Sequence, residues 1–258
     1  MKTKVVYVLV SSPDDLYLEQ TFVSMYSLKH HQPDAYVVLL TDRATSETFV
    51  GVRLTEICYA DEVIVVDLDD SKQTPKQRAF ELKTLVRNKV DGAILYLDCD
   101  TIVVRSIADI DQIDVPMAVC RDSHCDYPDN PYRAMNVDDG KKCGWPAEKY
   151  TVFYNSGVIY VQDSAETREF YRGWNKALHK SYEKNLVNDQ LGLAQLNYEW
   201  NGFIHNLPDV WNCELKHGIR YLKDAYIVHY LCTNASQYQE KQLFLLNERS
   251  VLLRIKDT

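Results

Sequence analysis

Apolar and polar positions along the first part of the chain alternate in a strand-helix rhythm. Val5 to Val10 form an unbroken apolar run, read as a strand. Ser11 to Tyr17 follow as a polar turn in which Ser12 or Asp14 can cap a helix of about Leu16 to His30. Leu18, Phe22, Met25, Tyr26 and Leu28 lie near the three-four spacing of one buried helix face, and Gln32-Pro33-Asp34 stops the helix. Tyr36 to Leu40 predicts the second strand, Ser46 to Cys58 a helix, and Glu62 to Val66 the third strand. A polar loop and a helix near Gln77 to Lys89 lead into Ala93-Ile94-Leu95-Tyr96-Leu97, a buried strand opened by the turn pair Asp91-Gly92. This repeated strand-helix order predicts an α/β fold with a mostly parallel central sheet and helices on both faces.

The second half is less regular. Met117 to Cys120 reads as a short strand, and Gly157 to Val161 as another. Between them Arg121 to Lys149 is rich in tyrosine, proline and charge, with few apolar runs, and is expected to be a long structureless lid or acceptor-binding loop. Helices follow at about Ala165 to His179 and near Asp189 to Leu196, and Ile227 to Tyr230 reads as the last strand. The segment 235–258 mixes leucines with balanced charges and is expected to pack as a helix or hairpin. The chain is expected to form one domain, with 1–104 and 105–234 as its two functional halves.

The apolar run that ends at Leu97 resumes at Ile102-Val103-Val104, so Asp98 and Asp100 stand at the tip of a core strand. Two like charges there are costly unless a cation binds them, and open α/β sheets place ligands at that edge. The same spacing occurs at Asp67/Asp69, which leads into a polar loop, and at Asp109/Asp111, which has no strand before it and reads as a solvated turn. His229, at the end of an apolar strand, is the best histidine to complete a metal site with the first pair. Carboxylates plus one imidazole suit Mn²⁺ ahead of Mg²⁺. Asn155-Ser156-Gly157 at the mouth of a strand offers short polar side chains and a glycine that would let a ligand approach the backbone. Asn188-Asp189-Gln190 gathers three polar groups at a helix start.

Composition narrows the classes. With 258 residues, 46% hydrophobic and 26% charged, the chain has the balance of a globular enzyme. A net charge of -8 and the lack of a basic stripe argue against nucleic acid. Seven cysteines without a Cys-x-x-Cys pair point to a reducing, cytoplasmic setting rather than a disulfide framework or zinc knuckle. No apolar run approaches bilayer length, and Val5 to Val10 is too short for a signal core, so membrane contact is expected to be peripheral at most, at the inner membrane. Neither a dinucleotide fingerprint nor a P-loop is present.

Taken together, Leu95-Tyr96-Leu97-Asp98-Cys99-Asp100-Thr101-Ile102-Val103, Asn155-Ser156-Gly157-Val158, Asp189-Gln190 and Val228-His229-Tyr230 resemble, in that order, the retaining glycosyltransferases of family 8. That is the glycogenin and lipopolysaccharide galactosyl- and glucosyltransferase family, with the GT-A (nucleotide-diphospho-sugar transferase) fold. The likeness runs from Val5 to about Tyr230. It implies transfer of a hexose with retention from a UDP-sugar donor to a glycan, glycolipid or protein acceptor, with Mn²⁺ on Asp98, Asp100 and His229. It implies uridine contacts from Ser12, Asp14 and a stacking Tyr17, and donor contacts from Lys83, Asp98, Cys99, Asn155 and Ser156. It further implies that Asp189 orients donor hydroxyls, Gln190 stabilises the transition state and Lys83 helps the UDP leave. Leu207-Pro208-Asp209-Val210-Trp211-Asn212 matches the family's Leu-Pro-x-x-x-Asn segment. The chain departs after His229, where Leu231 to Gln237 lack the family's glycine and Lys-Pro-Trp. Either another cation such as Lys241 replaces that lysine, or the donor is held less tightly, or the chain is a silent binding relic. Phosphatases of the haloacid dehalogenase type share Asp-x-Asp after a strand, but there the motif opens the chain.

Overall fold

The computed structural model describes residues 1–68 and 73–230. Its centre is a seven-stranded sheet, in which β1 (Lys4–Leu9), β2 (Val37–Asp42), β3 (Glu62–Val66) and β4 (Ile94–Leu97) are parallel, in the order β3-β2-β1-β4. β7 (Tyr154–Val161) runs antiparallel to β4 and to β6 (Met117–Arg121), and β8 (His205–Asn206) closes the edge. The mostly parallel sheet read from the strand-helix rhythm is the one found.

Successive strand residues point to opposite faces, and β1 is apolar on both. Val5, Tyr7 and Leu9 pack with Leu18, Met25 and Leu28 of α1 (Tyr17–His31) on one face. Val6 and Val8 pack on the other with Leu82 and Val86 of α4 (Pro75–Lys89), Phe170 and Trp174 of α6 (Ala165–Tyr182), and Leu193 of α7 (Asp189–Glu199). With helices covering both faces, the places left for a ligand are the strand ends.

Several local expectations are corrected. The turn before α1 is held by Asp15, which accepts from the N–H groups of Ser12 (2.7 Å) and Tyr17 (3.1 Å); neither Ser12 nor Asp14 caps the helix. Tyr26 is exposed and Phe22 only half-buried, because α1 turns its buried face through Leu18, Met25 and Leu28. The single helix expected over Ser46 to Cys58 is two short ones, α2 (Arg43–Ser46), which ends at Glu47, and α3 (Val52–Thr55), which starts after Gly51 at φ 58, a backbone conformation that favours glycine. Nor is Arg121 to Lys149 structureless: it contains α5 (Arg133–Cys143), capped by Gly144 in the left-handed region, with short 3-10 turns on either side. α5 buries Asn136, Gly140 and Cys143, spaced like one helix face but not apolar, which hid it from a periodicity reading. The packing expected of 235–258 lies outside the described residues.

A second, three-stranded sheet positions the site. β5 (Thr101–Val103) pairs antiparallel with β10 (Ile227–His229), which runs parallel to β9 (Cys213–Glu214). The Asp98-Cys99-Asp100 turn is thus the crossing from the large sheet to the small one. The register sets His229 opposite Thr101, beside Asp100, and the Tyr230 N–H donates to the Asp100 carbonyl (3.0 Å). Among the described residues no helix is long and apolar enough to cross a membrane.

Candidate active site

At the carboxyl ends of β1, β4 and the mouth of β7 lies a cleft of about 950 Å³. Val8 to Val10, Tyr17, Lys83, Asp98, Cys99, Asp100, Asn155, Ser156, Asp189, Gln190 and His229 all line it. Ser12 and Asp14 do not; both are exposed, and Asp15 takes their place on the wall.

Asp98, Asp100 and His229 each turn one ligand atom inward, all within 4.8 Å of one another. His229 Nε2 stands 3.1 Å from Asp100 Oδ1 and 3.9 Å from Asp98 Oδ2. The other ring nitrogen is held: Nδ1 lies 2.9 Å from Asn212 Oδ1, while Asn212 Nδ2 donates to Asn155 Oδ1 (3.0 Å). With Nδ1–H donating to Asn212, Nε2 is the nitrogen free to exchange a proton for a cation. Burial works against protonation of His229, but Asp100 and Asp98 outweigh it and raise its pKa, while His229 holds Asp100 below the usual carboxylate range despite burial. Two carboxylates with one oriented imidazole are a donor set that fits Mn²⁺ or Mg²⁺.

Gly157 has a different part from the one expected. A Cβ there would lie 2.2 Å from His229 Cε1, so its missing side chain makes room for the imidazole, not for a ligand. Likewise the Asn155 side chain is occupied in fixing Asn212 and in accepting from the Gly157 N–H (2.9 Å). Its Nδ2 lies 3.5 Å from Asp122 Oδ1, on the wall of the cleft.

Lys83 extends from α4 into the sheet end and is buried. Its Nζ donates to Ser156 Oγ (2.9 Å) and lies 3.1 Å from both Asp98 Oδ1 and Asp189 Oδ2. Burial alone would lower the Lys83 pKa; the carboxylates of Asp189 and Asp98 raise it instead. Asp189 opens α7 behind the N-cap Asn188, whose side chain accepts from the N–H groups of Gln190 and Leu191, and its own carboxylate also takes the Ser156 hydroxyl (2.7 Å). Gln190 Oε1 accepts from the Ser156 N–H (3.3 Å), and Gln190 Nε2 is 3.5 Å from Asp122 Oδ1. Tyr96 donates to Asp98 Oδ1 (2.5 Å), and burial, then Asp98, push its pKa well above the usual value. One ammonium therefore binds Asp98 and Asp189 into a single unit.

The amino-acid sequence matches the model of the nucleotide-diphospho-sugar transferase family over residues 31–251. The chain belongs to that family. No curated protein sequence matches it. Among solved structures, it resembles the galactosyltransferase LgtC in complex with donor and acceptor sugar analogs, at 13% identity and a TM-score of 0.61, covering 98% of this chain and 96% of that one. It resembles the glycosyltransferase GlyE of Streptococcus pneumoniae TIGR4 at 20% identity and 0.61, covering 98% of this chain and 60% of that one. Mouse xyloside xylosyltransferase 1 in its apo form matches at 16% identity and 0.58, over 90% and 98%. At these identities the structures speak for the fold, which is GT-A. The resemblance to family 8 drawn from the ordered motifs is borne out by the family match and these neighbours together.

The transferase also brings into its cleft residues that the motifs did not single out: Asp122, Tyr132, Met135, Asn136, Glu214, Lys216 and His217. Asp122 had a usable signal, since it follows a strand just as Asp98 does. Glu214 and His217 had none: they arrive through β9 and the turn after it, which have no apolar run of their own.

Proposed function

We propose that the transferase moves a hexose from a UDP-sugar to an acceptor hydroxyl with retention of configuration, using a divalent cation, Mn²⁺ ahead of Mg²⁺, held by Asp98, Asp100 and His229. The convergence of those three ligand atoms beside the Lys83–Asp189 pair carries the reading. When bound, the cation supplies Lewis-acid stabilisation to the departing diphosphate.

The chain's own residues do the rest. Tyr17, half-exposed on the cleft wall beside β1, offers its ring to the uracil, with Asp15 next to it. Lys83 puts a positive charge under the site where the leaving group gathers negative charge, and keeps Asp98 and Asp189 at a fixed separation. Asp189 then presents a carboxylate to donor hydroxyls. Gln190, an amide and a poor nucleophile, acts by hydrogen bonding at the reacting carbon rather than by forming a covalent bond. Retention fits attack by the acceptor from the face that UDP leaves. The stretch in which the family's lysine is missing, from residue 231 on, and Lys241 lie outside the described residues; among those described, the lysines on the cleft wall are Lys76, Lys83 and Lys216.

Thermal unfolding with UDP, with and without Mn²⁺, against an EDTA control and Asp100→Asn tests this. A ligand at about a hundred times its dissociation constant stabilises by roughly 2.7 kcal/mol, a midpoint rise on the order of 5–10 °C for a chain of this size. The rise should need Mn²⁺ and vanish in Asp100→Asn. No shift under any condition overturns the UDP-sugar reading. A shift without release of UDP from any UDP-hexose makes the chain a binding relic, and hydrolysis of simple phosphate esters without UDP makes it a phosphatase.

A further inference from the structure

Tyr96 of β4 belongs to the core by its ring and to the cleft by its hydroxyl. Successive strand residues alternate between faces, so Tyr96 and Asp98, two positions on, share one. The ladder continues that far, because the Asp98 N–H still donates to the Gly157 carbonyl (2.8 Å). The shared face is the one that α4 covers: Tyr96 lies in one core cluster with Leu82 and Val86, and Lys83 Nζ stands 5.0 Å from its ring centroid. Burial accounts for an aromatic ring at this position. It does not account for the hydroxyl, since a phenylalanine would pack as well.

That hydroxyl acts on one oxygen of Asp98. Oδ1 accepts from Tyr96 Oη (2.5 Å) and from Lys83 Nζ (3.1 Å). A carboxylate oxygen has about two lone-pair sites, so two donors engage both. Oδ2 faces the other ligand atoms instead, 3.9 Å from His229 Nε2. Lys83 by itself does not fix this choice, because its ammonium is shared with Asp189 and Ser156 and sits on a flexible stem. Tyr96 Oη sits on a ring held by the core, 3% exposed. A rigid donor on Oδ1 therefore holds the carboxylate plane and leaves Oδ2 to offer.

The number of oxygens that a carboxylate offers bears on the choice of ion. Mg²⁺ and ions of its coordination take about six donors, whereas Ca²⁺ takes about six to eight and readily draws both oxygens of a carboxylate. We propose that Tyr96 is a positioning residue that keeps Asp98 a one-oxygen ligand and thereby makes the site discriminate against Ca²⁺. This rests on the divalent-cation site proposed above and adds to it what sets the choice of ion. Without the hydroxyl, the Asp98 carboxylate is free to turn and to present both oxygens.

The test is titration of the full chain with Mn²⁺ in the presence of UDP, read by the electron paramagnetic resonance of free Mn²⁺, with Ca²⁺ as competitor. Tyr96→Phe keeps the ring, its packing and its face toward Lys83, and deletes the hydroxyl alone. The wild type should bind Mn²⁺ at least about tenfold more tightly than Ca²⁺, and Tyr96→Phe should lower that ratio about fivefold or more through tighter Ca²⁺ binding. Tyr96→Leu, which also lacks the hydroxyl, should show the same fall, and thermal unfolding without metal reports that each variant folds. A ratio unchanged in both variants, or Mn²⁺ and Ca²⁺ weakened by the same factor, overturns the proposal and leaves Tyr96 a packing residue. Equal affinity of the wild type for the two ions overturns it as well. Failure of the wild type to bind Mn²⁺ with UDP overturns the cation site itself.

Discussion

Gly157 and His229 share one space: the imidazole fills the volume that a side chain at 157 would need, with a Cβ there only 2.2 Å from His229 Cε1 and 2.7 Å from Nδ1. The ring is buried, and its Nδ1 is tied to Asn212. A methyl group therefore cannot enter without moving the ring off Asp100. Gly157→Ala should abolish the Mn²⁺-dependent part of UDP stabilisation and lower the unfolding midpoint by several degrees, consistent with overpacking costs of about 1–3 kcal/mol. Thermal scans with and without UDP and Mn²⁺ check it; an unchanged metal-dependent shift would show that His229 is not a ligand.

Among the described residues Lys83 is the one ammonium that contacts both Asp98 and Asp189. Lys83→Met leaves two carboxylates facing each other in a buried setting, and breaking a buried pair in this way costs about 3–5 kcal/mol. Denaturant unfolding should show that loss. Adding Asp189→Asn should recover part of it, because the second change removes one of the stranded charges. Strict additivity of the two changes would mean that the pair does not act as a unit.

Glu214 has its pKa raised well above the ordinary 4.5, first by burial and then by Asp122, with Asp209 adding to and Lys216 opposing the effect. His124 and His217 are its other near neighbours, both with pKa values lowered chiefly by burial. In the folded state Glu214 keeps a proton that the unfolded state releases, so its contribution to stability falls as pH rises above about 4.5 toward the folded value. Glu214→Gln cannot charge and escapes that fall. The variant should gain on the wild type in unfolding midpoint between pH 5 and pH 8, and a constant difference across that range would contradict it.

Asn188 caps α7 through the N–H groups of Gln190 (3.0 Å) and Leu191 (3.3 Å). Asn188→Ala should cost about 1 kcal/mol, a midpoint fall of roughly 2–4 °C. It also frees the first turn that aims Gln190, so transfer should fall more than UDP binding does. Initial rates with saturating donor, set beside the UDP thermal shift, separate the two effects.

The apolar runs of β1, β3 and β4, the end of α4 at Lys89 and the start of α6 at Ala165 were legible because they depend on local periodicity. The strand-end aspartates were legible for a related reason: a carboxylate that ends a buried run stands out against the run itself. α5 was not, since its buried face is Asn136, Gly140 and Cys143, and Gly140 is buried because a Cβ there would meet Ala147 Cβ at 2.5 Å. Only packing against another segment explains that choice of residues.

The amino-acid sequence by itself determined a mostly parallel α/β sheet with an acidic pair at the tip of its central strand, because period and strand end are properties of neighbouring residues. Tertiary structure alone decided which distant groups meet that pair. His229 reaches Asp100 across 129 positions through the β5–β10 register, and Lys83 reaches Ser156 across 73. Asn155 turns to Asn212, and Glu214 comes to rest beside His217. Strand pairing and side-chain burial act between segments far apart in the chain, and no local pattern of residues encodes the register in which they meet.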